Sequence, residues 1–354
     1  MKGLILSGGT GSRLRPITHT SAKQLVPVAN KPILFYGIEA VVAAGITEIG
    51  IITGETGPEV RAAVGDGSRF GARVTFIPQE APLGLAHAVL TARSFLGDEP
   101  FVMYLGDNLI RDGITAFVDE FRAQRPDAEI LLARVPEPQR FGVAELEGGR
   151  VVRLVEKPPV PRSDLALVGV YLFSAAVFRA IERIRPSARG ELEITDAIQR
   201  IIDDGGRVVP HVITGWWKDT GRLQDLLEAN RIILDTLEPG VGGGVGDGVR
   251  LEGKVVIQPG ARLRDCLIRG PAIIGENSVI EEAYVGPFTS IYHGCTVRRA
   301  EIEHSIVLEG SVIDGIDGKI ESSLIGKECI VTSSPERPRA YRLMLGDHSH
   351  VEVR

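Results

Sequence analysis

The feature that most restricts the fold of this chain is an aliphatic residue at every sixth position in its last third. The series occupies eight consecutive positions, namely Val255, Ala261, Leu267, Ile273, Val279, Val285, Ile291 and Val297. After a shift of frame it resumes at Val307, Ile313, Ile325 and Val331, with Lys319 as the exception. Such a period is typical of hexapeptide repeats, each of which adds one short strand to a prism. We therefore predict a left-handed parallel β-helix for residues 249–333, rather than an ordinary β-rich domain.

The first two thirds of the chain alternate between strand-like and helix-like segments. Residues 3–6, 48–53 and 100–105 are short apolar runs, and residues 32–44 and 85–96 carry apolar residues at helical spacing. This alternation predicts an α/β fold with a Rossmann-like, mostly parallel sheet and helices on both faces. Ligands of such sheets bind beyond the carboxyl ends of the strands. We assign residues 1–237 to this domain.

A glycine-rich segment separates the two patterns. Residues 238–248 read EPGVGGGVGDG, a composition that favours a flexible connection. We predict a linker there and a C-terminal tail over residues 334–354.

A second glycine-rich segment follows the first predicted strand. Residues 6–16 read LSGGTGSRLRP, and glycines allow backbone N–H groups to approach phosphate oxygens closely. The loop is not a Walker A motif, and Leu14 replaces the third glycine of a dinucleotide fingerprint. Arg13 and Lys23 lie within or just downstream of it, and both cations suit phosphate groups.

Eight motifs in chain order resemble those of the sugar-1-phosphate nucleotidylyltransferase family. They are GGTGSRLRP at 8–16 with KQLVP at 23–27, PQ at 78–79, GLAHA at 84–88, LGDN at 105–108, FGV at 141–143, VEKP at 155–158, GELEITD at 190–196 and WKDTG at 217–221. Each motif alone is weak, but eight in order are specific, and they cover about residues 1–237. The β-helix is similar to that of the longer subgroup, associated with deoxysugar pathways that include antibiotic biosynthesis.

The resemblance implies transfer of a thymidylyl group from dTTP to glucose 1-phosphate, with dTDP-glucose and pyrophosphate as products. The sugar-phosphate oxygen would attack the α-phosphorus in line, so catalysis would consist of positioning and charge stabilisation. The catalytic residues implied are Arg13, Lys23 and Lys157. Asp107 and Asp219 would together hold one Mg²⁺, although each aspartate alone would more often end or cap a turn.

The same resemblance assigns the binding residues. For the nucleotide these are Leu6, Gly8, Gly9, Gly11, Gln24, Gln79, Gly84 and Asp107, with Gln79 and Gly84 reading the pyrimidine edge. For the sugar they are Leu85, Gly142, Glu156, Lys157, Val170, Tyr171, Thr195 and Trp217. Several of these residues could instead serve only the core.

Three alternatives remain open. UTP could replace dTTP, because one methyl group discriminates by only about 1 kcal/mol. The β-helix could carry an acyltransferase site at His293 or His304, or the chain could be a non-catalytic regulatory relative.

Composition and net charge bear on the partners and the location of the protein. The net charge of −6 argues against nucleic acid as a partner, and no apolar run approaches the ~20 residues that span a bilayer. We expect a cytoplasmic homo-oligomer in which Cys266, Cys295 and Cys329 are buried thiols.

Overall fold

The computed structural model describes residues 1–9, 11, 14–15, 17–19, 22–333 and 349–352. The chain forms two compact units. The first contains residues 1–10, 21–25 and 33–219, and the second contains residues 11–20, 26–32 and 220–354. Arg13 and most of the predicted tail lie outside the described residues.

The elements that precede Thr220 alternate as the sequence predicted. The strands are β1 (Lys2–Ser7), β2 (Pro27–Val28), β3 (Lys31–Pro32), β4 (Glu48–Thr53), β5 (Arg73–Pro78), β6 (Phe101–Leu105), β7 (Asn108–Ile110), β8 (Ala128–Arg134), β9 (Gly142–Glu147), β10 (Arg150–Glu156), β11 (Leu165–Phe173), β12 (Val208–Val212) and β13 (Trp217–Asp219). The helices are α1 (Ile33–Ala43), α2 (Gly57–Val64), α3 (Leu85–Thr91), α4 (Arg93–Leu96), α5 (Thr115–Gln124), α6 (Ala176–Ile181) and α7 (Ile194–Asp203).

The main sheet of the first unit is mixed. Its order is β10-β9-β11-β6-β1-β4-β5, with β8 on β11 and β12 on β8. Strands β1, β4, β5 and β6 run parallel, as predicted, whereas β11 is antiparallel to β6, β8 and β9. The carboxyl ends of β1 and β6 therefore open at the same edge, which is where the glycine-rich loop and the LGDN motif begin.

Helices cover both faces of this sheet. Along β1, Leu4 and Leu6 pack on the face covered by α3, α6 and α7, while Ile5 packs on the face covered by α1 and α5. This alternation follows from the period of two in a strand, and burial on both faces explains the continuous apolar run. The predicted helix at 85–96 is interrupted at Ala92. Strand β5 escaped prediction because its alternate residues are exposed at the edge of the sheet.

The second unit contains one long helix, α8 (Leu223–Leu234), and a series of very short strands. The strands are β14 (Gly240–Val241), β15 (Gly244–Val245), β16 (Arg250–Glu252), β17 (Val255–Ile257), β18 (Arg262–Arg264), β19 (Leu267–Arg269), β20 (Ala272–Ile274), β21 (Val279–Glu281), β22 (Tyr284–Val285), β23 (Thr289–Ile291), β24 (Thr296–Arg298), β25 (Glu301–Glu303), β26 (Ile306–Val307), β27 (Val312–Asp314), β28 (Lys319–Glu321), β29 (Leu324–Ile325) and β30 (Ile330–Thr332). Every third strand after β13 joins the same sheet, which gives three parallel sheets. This arrangement confirms the parallel β-helix and fits the left-handed form.

In this β-helix, a coil can contain fewer residues than three complete hexapeptide repeats. Val256 pairs with Ile273 and Ile273 with Ser290, so each of these two coils advances by 17 residues. The innermost side chains consequently step by six or by five residues. They are buried throughout, at Ile257, Leu263, Ile268, Ile274, Ile280, Val285, Ile291, Val297, Ile302, Val307 and Ile313.

Of the innermost residues just named, the strict six-residue frame therefore meets only Val285, Ile291, Val297, Val307 and Ile313. Leu267 and Val279 are only half-buried, because the innermost position of each strand is the following residue. The steps of five from Val297 to Ile302 and from Ile302 to Val307 account for the shift of frame in the sequence.

The predicted linker at 238–248 is instead the start of the β-helix. Its residues include β14 and β15, which pair in parallel with β17 and β18. A Cβ atom on Gly243 would lie 2.7 Å from the carbonyl oxygen of Ala261, so this glycine permits close backbone packing rather than flexibility. The prediction of a linker was wrong because composition alone does not distinguish these two uses of glycine.

Helix α8 belongs to the second unit, so the change of unit falls at Thr220 rather than at the predicted 237. Asn230 on α8 is fully buried and accepts hydrogen bonds from the Ala29 amide (2.8 Å) and the Ser290 hydroxyl (2.6 Å). Its amide group donates to the Phe288 carbonyl over 3.0 Å. One side chain thus joins the helix, the β2–β3 hairpin and the β-helix.

No helix in the described part of the chain is both long and apolar enough to cross a bilayer. Cys266 and Cys295 are buried free thiols, as expected, whereas Cys329 is half-buried.

Candidate active site

The glycine-rich loop passes between a lysine and a glutamine at the end of β1. A Cβ atom on Gly9 would lie 3.3 Å from Cε of Lys23, and one on Gly8 would lie 3.4 Å from Oε1 of Gln79. Gln24 is also close, with its Nε2 3.8 Å from the same position on Gly9. Glycine at both positions therefore leaves space beside polar side chains, as a loop that receives phosphate requires.

Lys23 and Asp107 form an ion pair at the carboxyl end of β6. Both side chains are largely buried, and the lysine ammonium contacts Oδ2 of the aspartate. Burial by itself would raise the pKa of Asp107, but the charge of Lys23 and hydrogen bonds from Lys23 and Asn108 hold it below its usual value. Asp107 is therefore a charged carboxylate at neutral pH.

Asn108 connects the elements around this carboxylate. Its Nδ2 donates to Oδ1 of Asp107 over 3.0 Å, and its Oδ1 accepts from the Trp217 indole (2.5 Å) and the Gly169 amide (3.3 Å). Strands β7 and β13 pair antiparallel with Asn108 opposite Asp219. In backbone register, Asp219 is therefore one residue from Asp107, the other predicted metal-binding aspartate.

Gln79 and Gly84, predicted to read the nucleotide base, lie together after β5. The amide Nε2 of Gln79 is 3.5 Å from the Gly84 carbonyl and 2.8 Å from Nδ1 of His87. His87 therefore fixes the orientation of the glutamine amide. Sequence reasoning gave His87 no role, although it lies within the GLAHA motif.

Gly84 itself has a backbone conformation that other residues rarely adopt. Its φ is +104°, and a Cβ atom there would overlap the carbonyl oxygen of Leu192. Leu192 also bonds through its backbone to Leu83 and Ala86. The GELEITD motif thus holds the start of α3 in place.

Glu156 is the centre of the predicted sugar-binding group. Its Oε2 lies 3.4 Å from the Thr195 hydroxyl and 3.1 Å from where a Cβ atom on Gly142 would stand. Arg189 reaches Oε1 of Glu156 over 3.4 Å and is itself anchored on Glu193 by contacts of 2.8 and 2.9 Å. Burial is the main reason that the pKa of Glu156 is raised, with a further upward contribution from Glu193. Sequence reasoning missed Arg189, which lies one residue before the GELEITD motif.

Lys157 and Tyr171 flank this carboxylate. Nζ of Lys157 is 3.4 Å from Oε1 of Glu156 and the side chain remains partly exposed, so it is accessible to a substrate phosphate. Tyr171 is buried, and burial together with the nearby Glu156 raises its pKa.

The remaining predicted residues of the first unit pack against aromatic or apolar neighbours. Trp217 packs edge-on against Phe141 with ring centroids 5.2 Å apart. Leu6 and Val170 are buried, and Leu85 packs partly buried against the core, so each also has a structural role.

Gly11 falls in the second unit. It has a φ of +64°, and its carbonyl accepts a hydrogen bond of 2.7 Å from the Thr18 hydroxyl. Glycine adopts this backbone conformation without the strain that a side chain would add.

Comparison with known proteins identifies the family. A family model described as nucleotidyl transferase matches residues 2–236. The chain belongs to the nucleotidyl transferase family. The match covers the elements that carry the site just described.

Some relatives of this nucleotidyl transferase match along its whole sequence. It is 57% identical over 354 residues to a glucose-1-phosphate thymidylyltransferase of Streptomyces griseus, covering 100% of this chain and 99% of the relative. It is also 47% identical over 358 residues to the low-salt glycan biosynthesis nucleotidyltransferase Agl11 of Haloferax volcanii, covering 100% of both. Both alignments extend through the β-helix.

A solved structure from Bacillus anthracis, named as a putative glucose-1-phosphate thymidylyltransferase in complex with a sucrose, aligns with a TM-score of 0.63 and 38% identity. The alignment covers 68% of this chain and 97% of that one. The likeness confirms the nucleotidyltransferase fold.

Proposed function

We propose that this nucleotidyl transferase joins dTTP to glucose 1-phosphate and releases dTDP-glucose and pyrophosphate. The observation that carries the proposal is the 57% identity, over the whole chain, to a glucose-1-phosphate thymidylyltransferase. The geometry supports it, because most of the residues suited to phosphate, base and sugar lie in the first unit, with Gly11 as an exception.

The base is the part of the nucleotide that Gln79 would recognise. A glutamine amide offers both N–H donors and a carbonyl acceptor, groups that suit the edge of a pyrimidine, and the Gly84 backbone adds a further polar group. Because His87 holds the amide in place, this edge is recognised by an ordered side chain. UTP fits the same contacts and would be the weaker substrate.

Asp107 and Asp219 fit a magnesium ion by the chemistry of their donors. Mg²⁺ prefers oxygen ligands and is commonly held by one or two carboxylates together with substrate phosphates. The lowered pKa of Asp107 keeps it charged, and it already holds one cation, the Lys23 ammonium. When bound, the ion would supply charge neutralisation to the phosphates.

The sugar phosphate would be held by Lys157 and the hexose by Glu156. Thr195 and Arg189 fix the position of the Glu156 carboxylate, which leaves oxygen lone pairs for sugar hydroxyls. Lys157 provides a cation for the phosphate of the incoming substrate.

These residues position an in-line displacement. An oxygen of glucose 1-phosphate forms a bond to the α-phosphorus of dTTP, and the bond from that phosphorus to the bridging oxygen of pyrophosphate breaks. Lys23, with Arg13 from outside the described residues, would offset the charge of the triphosphate. The reaction requires no protein nucleophile, so positioning and electrostatics supply the catalysis.

The test is a pyrophosphate-release assay with dTTP, UTP, ATP and GTP against glucose 1-phosphate and galactose 1-phosphate. We expect the highest kcat/KM for dTTP with glucose 1-phosphate, and a lower value for UTP. A preference for ATP or GTP would overturn the proposal. Gln79→Glu should reduce kcat/KM for dTTP, whereas Glu80→Gln, an exposed neighbour, should not.

We further propose that the protein is a cytoplasmic homo-oligomer that supplies deoxysugar pathways. The β-helix supports the assembly because its sheets offer flat surfaces for packing against a second copy. Light scattering at micromolar concentration tests the assembly, and a monomer would contradict it.

A further inference from the structure

Three ionisable side chains outside the candidate active site converge on one face of the sheet. They are Glu120 on α5, Glu129 on β8 and His211 on β12, and their ligand atoms all lie within 4.8 Å of one another. Strands β8 and β12 pair in parallel, with Glu129 opposite Val209 and Leu131 opposite His211. Residues two apart in a strand share a face, so Glu129 and His211 are diagonal neighbours under α5.

Glu129 is the unusual member of this cluster. Its side chain is fully buried, and neither carboxylate oxygen has a hydrogen-bond partner among the described residues. A buried carboxylate without partners is costly, so it requires either a proton or a cation. Burial, with a smaller contribution from Glu120, raises its pKa to about 8.

The other two side chains direct a ligand atom towards the same space. Nδ1 of His211 lies 3.2 Å from Oε2 of Glu120, while Oε1 of Glu120 accepts a hydrogen bond from Gln124 over 2.7 Å. Phe117 packs edge-on against the imidazole, with ring centroids 4.6 Å apart. The nearby Arg207 contacts the side-chain oxygen of Gln124 rather than either carboxylate.

In a second cluster of the same composition, the two carboxylates are paired with a lysine. Glu303, His304 and Glu321 are equally close together, but Lys319 contacts both carboxylates, at 2.5 and 3.3 Å. That cluster has a cation from the protein itself. Within the part of the chain that the structure describes, Glu129 has no such lysine or arginine.

We propose that Glu120, Glu129 and His211 bind a divalent transition-metal ion of the Zn²⁺ type, with water completing its coordination. Two carboxylates and an imidazole form a ligand set that suits Zn²⁺ better than Mg²⁺. Bonds of about 2.1 Å in a tetrahedral site put ligand atoms roughly 3.4 Å apart. The distances between the ligand atoms of this cluster would therefore need to shorten by about 1.4 Å or less for an ion to bind. The ion would join α5 to the edge strand β12 and would replace the proton on Glu129.

The experiment uses the full-length protein, stripped with chelator and kept in excess Mg²⁺ so that Asp107 and Asp219 are occupied. Co²⁺ is then titrated as a spectroscopic probe, and bound Zn²⁺ is measured after equilibrium dialysis. We expect wild type to bind one equivalent more than Glu129→Gln or His211→Gln, and Zn²⁺ to raise its Tm by a few degrees. Glu303→Gln, in the lysine-held cluster, should behave as wild type.

Equal stoichiometry in wild type, Glu129→Gln and His211→Gln would show that the cluster holds no ion. An intense sulfur charge-transfer band with Co²⁺ would assign the ion to cysteine. If Glu129→Gln failed to fold, His211→Gln would decide, because that side chain is partly exposed and its loss leaves the core intact.

Discussion

The indole of Trp217 donates a hydrogen bond of 2.5 Å to Oδ1 of Asn108, and this bond joins β13 to the strand that follows the proposed metal-binding carboxylate. Asn108 in turn donates to Asp107. The orientation of Asp107 therefore depends on a tryptophan more than a hundred residues further along the chain.

Replacing Asn108 with alanine should impair magnesium use more than folding. The Trp217 indole and the Gly169 amide would lose their acceptor, at a cost of about 1–3 kcal/mol in unfolding free energy. Because Asp107 would also lose a donor, the Mg²⁺ concentration for half-maximal activity should rise. Tyr104→Phe is the control, since it removes only a hydrogen bond to the Asn108 carbonyl. Equal Mg²⁺ dependence in both variants would contradict this role.

Asp107→Asn should lower kcat by about 100-fold or more, because it removes one charge from the proposed metal site and leaves Lys23 without its anion. Pyrophosphate release at limiting Mg²⁺ measures the effect. The control is Asp112→Asn, an exposed carboxylate on the turn after β7. Rates within a few-fold of wild type would remove Asp107 from the mechanism.

Gly84→Ala should be more harmful than alanine at another glycine with positive φ. Gly71 has a φ of +73° and no atom within 4 Å of a Cβ position, so Gly71→Ala should cost only about 1–2 kcal/mol. At Gly84 the new methyl group would meet the Leu192 backbone and displace the start of α3. We expect a raised KM for dTTP in Gly84→Ala alone, measured beside urea denaturation of both variants. Unchanged KM in a folded Gly84→Ala protein would contradict the assignment.

Asn230→Ala should destabilise the second unit by about 1–3 kcal/mol, because three polar partners of the buried Asn230 side chain lose their hydrogen bonds together. Chemical denaturation followed by circular dichroism measures the change. Gln224→Ala, an exposed position on the same helix, should stay within about 0.5 kcal/mol of wild type. An equal loss in the two variants would show that the buried network adds nothing.

The stability of the metal-free protein should fall as pH rises from about 4.5 to 8. The pKa of Glu129, which faces Glu120 and His211, is raised from 4.5 to about 8 in the folded protein. The folded state therefore binds this proton more tightly than the unfolded state, and the advantage is lost as the group ionises. The contribution is at most a few kcal/mol. Glu129→Gln should lack this part of the pH dependence, as judged from denaturation midpoints at about pH 4, 6 and 8.5, a range that spans both pKa values. Identical pH profiles would place the pKa of Glu129 near its usual value.

Much of the site follows from local sequence. The motifs located Gln79, Gly84, Asp107 and Glu156 because each lies at or near a strand end, where a short run of residue types carries the signal. The structure brings Gln79 to Gly84, as expected, and it groups Glu156 with Thr195. The six-residue period likewise predicted the β-helix, because the inward residues of successive strands must all be apolar.

The roles of the other residues depend on pairing between segments that are distant in the sequence. Asn108 acquires its role only because β7 and β13 are paired, and His87 only because α3 returns to the end of β5. The glycine-rich segment at 238–248 reads as a linker locally, yet backbone packing in the first coil of the β-helix turns it into strands. Glu129 looks like an ordinary surface glutamate in the sequence, and its burial results from α5 and β12 closing over it. Composition and spacing thus determined which elements form and which residues are suited to a substrate. Tertiary structure determined which side chains hold those residues in position, because register between distant strands is not encoded in any short segment.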